Sequence, residues 1–215
     1  MTGRSLLVNV VLFSLRDDLL QVRLVPERPG AAPERPGRWQ LPGCDLPPNE
    51  GLEESANRLL GGLIGRRETY LEQLYTYAGP QSPTVRVAYF ALVPGERAQV
   101  PGGAASWFPV AALPALASED GEMLTYALRR LRYKLEYSAV GFQLLPGEFS
   151  LPELQHTYEV VLGERLDKRN FRRRMLQSGI IEPTGHKRLG EGRPARLYRY
   201  RPDAVAEVKA RRLFP

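Results

Sequence analysis

Apolar runs alternate with polar turns along the first half of the chain, in a pattern typical of a mixed α/β domain. Residues 5–13 and 19–25 are strongly apolar and flank a charged turn, which predicts a β-hairpin. Residues 69–77 are rich in Tyr and Thr, and residues 84–93 are apolar almost throughout. Both are predicted strands, and the second is predicted to be central because strands buried on both faces are continuously apolar. Residues 107–110 form a last strand-like segment.

A strand, a loop and an amphipathic helix are predicted in the segment that follows the hairpin. Residues 38–41 are strand-like, and residues 42–49 are rich in Pro and Gly. Glu50, Glu53 and Glu54 are placed in the first turn of the helix, where acidic side chains complement the helix dipole. The apolar stripe of this helix, at a spacing of about 3.6 residues, is Leu52, Ala56, Leu59, Leu60 and Leu63.

A longer helix is predicted over residues 122–137. Leu124, Leu128, Leu131 and Leu135 are spaced as in a heptad repeat, and the intervening positions are mostly basic or polar. Such a stripe has two interpretations. It packs the helix on its own domain, or it forms the seam of a dimer.

Two short helices joined by a tight turn are predicted further along the chain. Ser150 and Glu153 have the spacing of a capping box at the start of the first helix, and Gly163 ends it. Asp167 is a candidate N-cap for the second helix, over residues 168–178. This arrangement is the helix-turn-helix pattern.

The second of these helices has one apolar side and one basic side. On a helical wheel, Phe171, Met175 and Leu176 define the inward side. Arginine can pair with phosphates or guanine edges, and Asn and Gln can pair with adenine edges. The helix has no acidic residue, so DNA contact is favoured over a merely solvated face. The outward side consists of Asn170, Arg173, Arg174 and Gln177, with Arg169 at its margin.

A basic β-hairpin is predicted after the helix-turn-helix, within residues 180–201. Its second strand alternates apolar or aromatic residues with arginines, and its tip is rich in glycine, as in the wing of a winged helix. Basic side chains on a wing can hold phosphates. The candidate DNA-binding residues on the helix and wing together are Lys168, Arg169, Asn170, Arg172, Arg173, Arg174, Gln177, Lys187, Arg188, Arg193 and Arg196.

The distribution of charge supports a polyanionic partner for the second half of the chain. The formal net charge of the 215 residues is +6. Basic and acidic residues balance over residues 1–118, so the whole surplus lies in residues 119–215. Such asymmetry indicates two units, one of which meets a polyanion such as nucleic acid.

Several classes of protein are disfavoured by the composition. No apolar run approaches the ~20 residues of a membrane span, and no signal peptide is apparent. Cys44 is the single cysteine, which excludes an internal disulfide and fits a reducing cytoplasm. His156 and His186 are the only histidines, so no metal-ligand cluster of His and Cys is expected.

The segment 38–65 resembles a Nudix box, the motif of pyrophosphate-hydrolysing enzymes. Glu50, Arg58 and Gly65 stand at the family spacing, and Cys44 occupies the position of the opening glycine. Hydrolysis in that family needs a divalent cation held by carboxylates, and hard cations need oxygen ligands. We therefore expect no hydrolase activity, unless a metal site is rebuilt from other acids. In this chain, the three positions at which the family has its metal-binding glutamates are occupied by Leu59, Gly62 and Leu63.

A degenerate Nudix box joined to a winged helix resembles the Nudix-related transcriptional regulators of the NrtR type. The resemblance covers about residues 6–201. The chain departs from the family pattern at 81–84 and at 118–120, both near the expected effector pocket. The segments that carry the resemblance are 39–43 (WQLPG), 70–74 (YLEQL), 87–92 (VAYFAL), 127–132 (ALRRLR), 142–146 (FQLLP) and 166–173 (LDKRNFRR).

The resemblance implies an α+β protein with a Nudix-like effector-binding domain over residues 1–115. A linker helix and winged-helix DNA-binding domain follow over residues 116–215. It implies a homodimeric bacterial repressor of NAD metabolism genes that binds double-stranded, palindromic operator DNA. The effector is a nucleotide such as ADP-ribose, with no cofactor, and the pocket candidates are Arg38, Glu54 and Arg58. Two other functions remain open: an active Nudix pyrophosphohydrolase, and a nucleic-acid-binding protein whose Nudix-like domain is only a scaffold.

Overall fold

The chain folds into two compact units that divide within one long helix. The structure, a computed structural model, describes residues 4–27, 38–65, 69–79, 82–98, 104–189 and 194–201. The units divide between Ala127 and Leu128, and the short stretch Pro94–Glu96 groups with the second unit. The domain boundary predicted from the sequence, between residues 115 and 116, stays a prediction. None of the described helices combines the length and apolar character needed to cross a membrane.

The first unit is built on a mixed β-sheet that has seven strands over the described residues. Strand β1 is central, antiparallel to β2 and parallel to β6, and β5 flanks β6 in antiparallel orientation. Short strands extend the sheet: β3 and β7 pair with β2, and β4 pairs with β1. The strands are β1 (Ser5–Arg16), β2 (Leu19–Pro26), β3 (Trp39–Gln40), β4 (Gly43–Asp45), β5 (Tyr70–Tyr77), β6 (Thr84–Val93) and β7 (Ser106–Pro109).

The predicted hairpin at the start of the chain is confirmed. Asp17 and Asp18, which connect β1 to β2, have φ angles of 50° and 59°. Two consecutive positive φ angles are typical of the tight turns that match the twist of two paired strands. Aspartate tolerates this conformation better than most residues, so the sequence suits the turn.

The predicted box helix is confirmed as α1 (Leu52–Ile64), which packs its apolar side on the sheet. It ends at Gly65, whose φ of 68° suits a left-handed C-cap, and whose N–H donates to Gly61 O at 2.9 Å. One placement was wrong: Glu50 lies before the N-cap residue Gly51 and is not in the first turn.

The linker helix α2 (Ser118–Tyr137) starts four residues earlier than predicted. Its stripe is buried within the chain, since Leu124, Leu131 and Leu135 are at most 2% exposed. Leu128, the fourth residue of the stripe, is half-buried. The other three leucines therefore pack α2 on its own chain, and the alternative interpretation as a dimer seam is wrong for them.

The second unit combines two helices with a small antiparallel sheet, as predicted for a winged helix. The aromatic ring of Tyr158 on the first helix meets that of Phe171 on the second at a centroid distance of 5.6 Å. The sheet has the order β8-β10-β9 over the described residues. The elements are β8 (Phe149–Ser150), α3 (Leu151–Leu162), α4 (Lys168–Gln177), β9 (Ile181–Arg188) and β10 (Ala195–Tyr200).

The predicted caps of both helices are confirmed. The Ser150 hydroxyl accepts a hydrogen bond from the Glu153 N–H, and the Glu153 carboxylate accepts one from the Ser150 N–H. Gly163 ends α3 with a φ of 78°. The Asp167 carboxylate accepts from the Asn170 N–H at 2.7 Å at the start of α4.

Changing Asp167 to Ala should lower the free energy of unfolding by ~1 kcal/mol, because the N–H of Asn170 loses its acceptor. Urea denaturation of the full chain measures this loss. Asp167→Asn is the matched control, since asparagine caps helices about as well as aspartate. An equal loss in both variants would contradict the capping role.

The inward side of α4 differs from the predicted one at a single residue. Phe171 and Met175 are buried as predicted, at 2% and 0% exposure, but Leu176 is 50% exposed. At about 100° per residue, Leu176 lies too far round the helix from Phe171 to share its side. Arg172 lies nearer to Met175, and its Nε atom is buried.

Candidate functional site

The outer face of α4 is basic and partly preorganised. Its side chains divide into exposed and half-buried ones, and the helix contains no acid that would neutralise them. Arg173 Nη2 donates to Asn170 Oδ1 at 2.8 Å, so these two side chains are held as a pair on one side of the helix. The exposed members are Lys168, Arg169, Arg173 and Gln177, and the half-buried ones are Asn170, Arg172 and Arg174.

The turn before α4 is fixed by hydrogen bonds that the sequence did not predict. Glu159 on α3 accepts from the Leu166 N–H at 2.9 Å and from Gln155 Nε2 at 2.9 Å. Gln155 also donates to the Leu166 carbonyl at 3.0 Å. The hydrogen bond from Leu166 is the main reason that the pKa of Glu159 is lowered, with Gln155 second. This network holds α4 at a fixed orientation to α3.

The wing places two predicted basic residues opposite each other. Lys187 on β9 pairs in register with Arg196 on β10, and both side chains are exposed. Like charges directly opposite each other repel, so an anion between or beside them would be favourable. Arg193 lies outside the described residues.

Arg188, in contrast, is held by acids of its own unit. Its guanidinium forms an ion pair with Glu153 and donates to the Glu148 carbonyl at 3.3 Å. His186 Nδ1 lies 3.0 Å from the Glu148 carboxylate. Arg188 therefore ties the wing to the start of α3, a contact that the sequence did not predict, while its DNA-binding role stays a prediction.

The box region gathers one of the three predicted effector residues into a polar cluster. Arg58 donates from Nε and Nη2 to Glu50 at 2.8 and 2.7 Å. Ser55 Oγ donates to the same carboxylate at 2.6 Å. The predicted partners do not join this cluster in the contacts described: Glu54 is exposed on α1, and Arg38 is half-buried beside β3.

The residues at the positions of the family's metal-binding glutamates cannot bind a divalent cation. Leu59 and Leu63 pack against the core beneath α1, and Gly62 is exposed with no side chain. None of the three supplies an oxygen ligand. Among the residues that the structure describes, no three His, Cys, Asp or Glu side chains are placed to share a metal ion.

Arg58 should hold Glu50 ionised at acidic pH. The hydrogen bonds from Arg58 and then Ser55 lower the pKa of Glu50 to about 2. Because the folded-state pKa is depressed, Glu50 stabilises the fold above its ordinary pKa of ~4.3, and this contribution is lost as the pH falls toward 2. Arg58→Ala should therefore raise the pKa of Glu50, measured by NMR of the side-chain carboxyl carbon. Arg38→Ala is the control and should leave that pKa unchanged.

An ionic cluster around the buried carboxylate of Asp120 in the first unit was not predicted from the sequence. Arg86 on β6 donates to Asn9 Oδ1 at 2.9 Å, to Glu119 at 3.1 Å and to Asp120 at 2.6 Å. Asp120 also accepts from the Leu41 N–H at 2.6 Å. These contacts fix the first turn of α2 against the sheet and explain its early start. The available signal was an arginine within an otherwise apolar strand, since a buried charge requires a partner.

Comparison with known proteins identifies relatives over most of the chain. Residues 141–200 match the family model described as the NrtR DNA-binding winged helix domain. The chain is 34% identical over 204 residues to an "ADPR responsive transcriptional repressor NtrR" of Acinetobacter baylyi, an alignment that covers 90% of this chain and 80% of that protein.

Solved structures agree with this relationship. Shewanella oneidensis NrtR complexed with a 27mer DNA is 34% identical, with a TM-score of 0.82, over 94% of this chain and 95% of that chain. A MutT/nudix family protein from Enterococcus faecalis is 25% identical, with a TM-score of 0.75, over 93% of this chain and 88% of that chain. The protein therefore belongs to the NrtR family, with a Nudix-like first domain and a C-terminal winged helix.

Proposed function

We propose that the protein is a bacterial transcriptional repressor of NAD metabolism genes that binds operator DNA through its winged helix. The observation that carries this proposal is the acid-free basic face of α4, centred on the pair Asn170–Arg173. The Shewanella oneidensis relative is known in complex with DNA, which supports the same partner here. Asn170 and Arg173 are proposed to read base edges, and Lys187 and Arg196 on the wing to hold phosphates.

The first unit is proposed to sense ADP-ribose or a related nucleotide. The Acinetobacter baylyi relative is named for its response to ADPR, and it aligns with nearly the whole chain. Arg38, Glu54 and Arg58 stay our candidates for the effector pocket. An effector that binds two conformations of the protein with different affinity would shift the equilibrium between them. The affinity of the protein for DNA would change as a result.

Nucleotide binding without turnover is part of this proposal. Leu59, Gly62 and Leu63 replace the carboxylates on which metal-dependent hydrolysis depends in the Nudix family. The alternative, an active pyrophosphohydrolase, predicts release of AMP from ADP-ribose in the presence of Mg²⁺. Absence of AMP release, measured beside an active Nudix hydrolase as positive control, would exclude that alternative.

The protein is further proposed to act in the cytoplasm as a homodimer on palindromic DNA, because a two-fold operator matches a two-fold protein. Since Leu124, Leu131 and Leu135 of α2 are buried in their own chain, the dimer must use a surface other than these three leucines. The molecular mass of the protein on operator DNA, measured by light scattering, tests this proposal. A complex with a single protein chain would contradict it.

The test of the proposed function is selective binding to DNA from upstream of the protein's own gene. Random DNA of equal length is the comparison, at ~150 mM salt, because non-specific binding by a basic domain depends strongly on salt. We expect clear preference for the upstream DNA. Equal affinity for both would contradict a role as a sequence-specific repressor.

A further inference from the structure

A buried arginine in the first unit lacks the partner that its charge requires. Arg23, in the middle of β2, is 6% exposed, and its Nε atom has no hydrogen-bond partner. No carboxylate of the described residues forms an ion pair with it. Directly opposite on β7 is Trp107, whose Nε1 atom is also buried without a partner. Guanidinium groups are seldom buried without an acceptor, so this position differs from the paired Arg86.

A second arginine lies beside the same indole. The guanidinium carbons of Arg16 and Arg23 lie 5.3 and 5.4 Å from the centroid of the Trp107 ring. Burial lowers the pKa of Arg23, and the charge of Arg16 lowers it further. Arg16 also has other interactions within the chain. Two cations are thus held near one aromatic ring, which stabilises their positions.

The strand register adds a buried hydroxyl to the same face. Ser14 on β1 stands opposite Gln21 on β2, which places Ser14 on the same face of the sheet as Arg16 and diagonal to Arg23. Ser14 is fully buried, and its Oγ atom has no hydrogen-bond partner. We call Arg16, Arg23, Trp107 and Ser14 the Arg–Trp cluster. Three of its atoms, Arg23 Nε, Trp107 Nε1 and Ser14 Oγ, are buried without a hydrogen-bond partner.

The Arg–Trp cluster is separate from the box region. Asn9, near the start of β1, pairs with Gly43 of the box loop, whereas Arg16 is the last residue of that strand. At ~3.3 Å per residue along a strand, the two regions lie roughly 20 Å apart. The cluster is therefore distinct from the pocket candidates near Arg58.

We propose that the Arg–Trp cluster is a second binding site, for an oxyanion of the phosphate class. A phosphate group would accept hydrogen bonds from Arg23, Arg16 and Ser14, and a guanidinium held against an aromatic ring keeps its planar fork available for two oxygens. The anion comes either from free phosphate or pyrophosphate, or from the phosphate of a nucleotide. This site is additional to the proposed effector pocket and independent of DNA binding.

The test uses the full chain carrying Trp39→Phe, which leaves Trp107 as the single tryptophan and fluorescence reporter. Phenylalanine preserves the aromatic contact of residue 39 with Phe108. Inorganic phosphate, pyrophosphate and AMP are titrated separately, without DNA. We expect a saturable change in Trp107 fluorescence and a melting temperature that rises with anion concentration. Arg23→Gln should weaken the affinity by about tenfold or more, since it removes a charged donor.

Two further variants make the outcome decisive. Arg129→Gln removes an exposed arginine of α2 and should leave the affinity for the anion unchanged. Arg23→Lys keeps the positive charge but loses the planar guanidinium that can donate to two oxygens, so it should bind the anion more weakly than the parent protein. This variant also provides a test if Arg23→Gln fails to fold. Saturation by phosphate or pyrophosphate assigns the site to free anions, and saturation by AMP alone assigns it to nucleotides. No saturable change with any anion, or equal affinity in the Arg23 variants, would overturn the proposal.

Discussion

Changing Arg86 to Met should lower the free energy of unfolding by about 3–5 kcal/mol, the cost typical of breaking a buried ion pair from one side. Asp120 would lose its cationic partner while its side chain remains 2% exposed, and Asn9 would lose a donor. Urea denaturation of the full chain, monitored by circular dichroism, measures this loss.

The exposed pair Arg58–Glu50 provides a matched control for the Arg86 variant. The Arg58 side chain is 48% exposed, so Arg58→Met should lower the free energy of unfolding much less than Arg86→Met. The double variant Arg86→Met with Asp120→Asn should be more stable than Arg86→Met alone. Asparagine needs no cation, and it can still accept from the Leu41 N–H. A double variant with simply additive losses would contradict an energetic coupling between Arg86 and Asp120.

Changing Arg173 to Ala should weaken specific operator binding by about 1–3 kcal/mol, or roughly tenfold to a hundredfold. The variant removes the guanidinium proposed to contact a base edge and releases Asn170, which that guanidinium now holds at 2.8 Å. Preference for one base pair of the operator should be relaxed at the same time. Electrophoretic mobility shifts with operators changed at single positions measure both effects.

Arg199→Ala is the control for the Arg173 variant. Arg199 is exposed on β10, pairs with Glu182 and is not among the predicted DNA contacts. Its removal should change operator affinity much less than removal of Arg173. An equal loss of affinity for every DNA sequence in the Arg173 variant would indicate a phosphate contact and contradict base recognition.

Elements defined by local signals were predicted well from the sequence. The capping box of Ser150 and Glu153, the N-cap Asp167 and the apolar period of α1 each depend on residues close together in the chain. These elements can be predicted because the hydrogen bonds at helix ends and the amphipathic period each involve residues only a few positions apart. The winged helix was predicted from the same local signals.

Elements that depend on contacts between distant residues were missed. Strand β4 exists because Gly43–Asp45 pairs with β1, and β8 because two residues pair with β10 nearly fifty positions later. The start of α2 depends on Arg86, more than thirty residues earlier. Such pairings leave no periodic pattern in a single sequence. The position of Leu176 was a different error, since it followed from assigning too wide an inward side to α4.

The same difference applies to the proposed functional sites, because the DNA-binding face could be predicted from the sequence and the arrangement of the effector pocket could not. The basic character of α4 is a property of its own residues, so its face could be recognised directly. The pocket candidates lie in two elements, Arg38 before β3 and both Glu54 and Arg58 on α1, and sequence alone could not establish whether these two elements meet. The structure joins Arg58 to Glu50, a residue predicted at the helix start and at the spacing of the Nudix box but not in the effector pocket.

The most direct test of a metabolite-controlled repressor is operator binding by the full chain with and without ADP-ribose. Fluorescence anisotropy of labelled operator DNA at ~150 mM salt gives the dissociation constant in both conditions, and random DNA of equal length gives the non-specific background. We predict that ADP-ribose changes the dissociation constant for the operator and leaves that for random DNA unchanged. Identical operator affinity with and without saturating ADP-ribose would contradict its role as the effector.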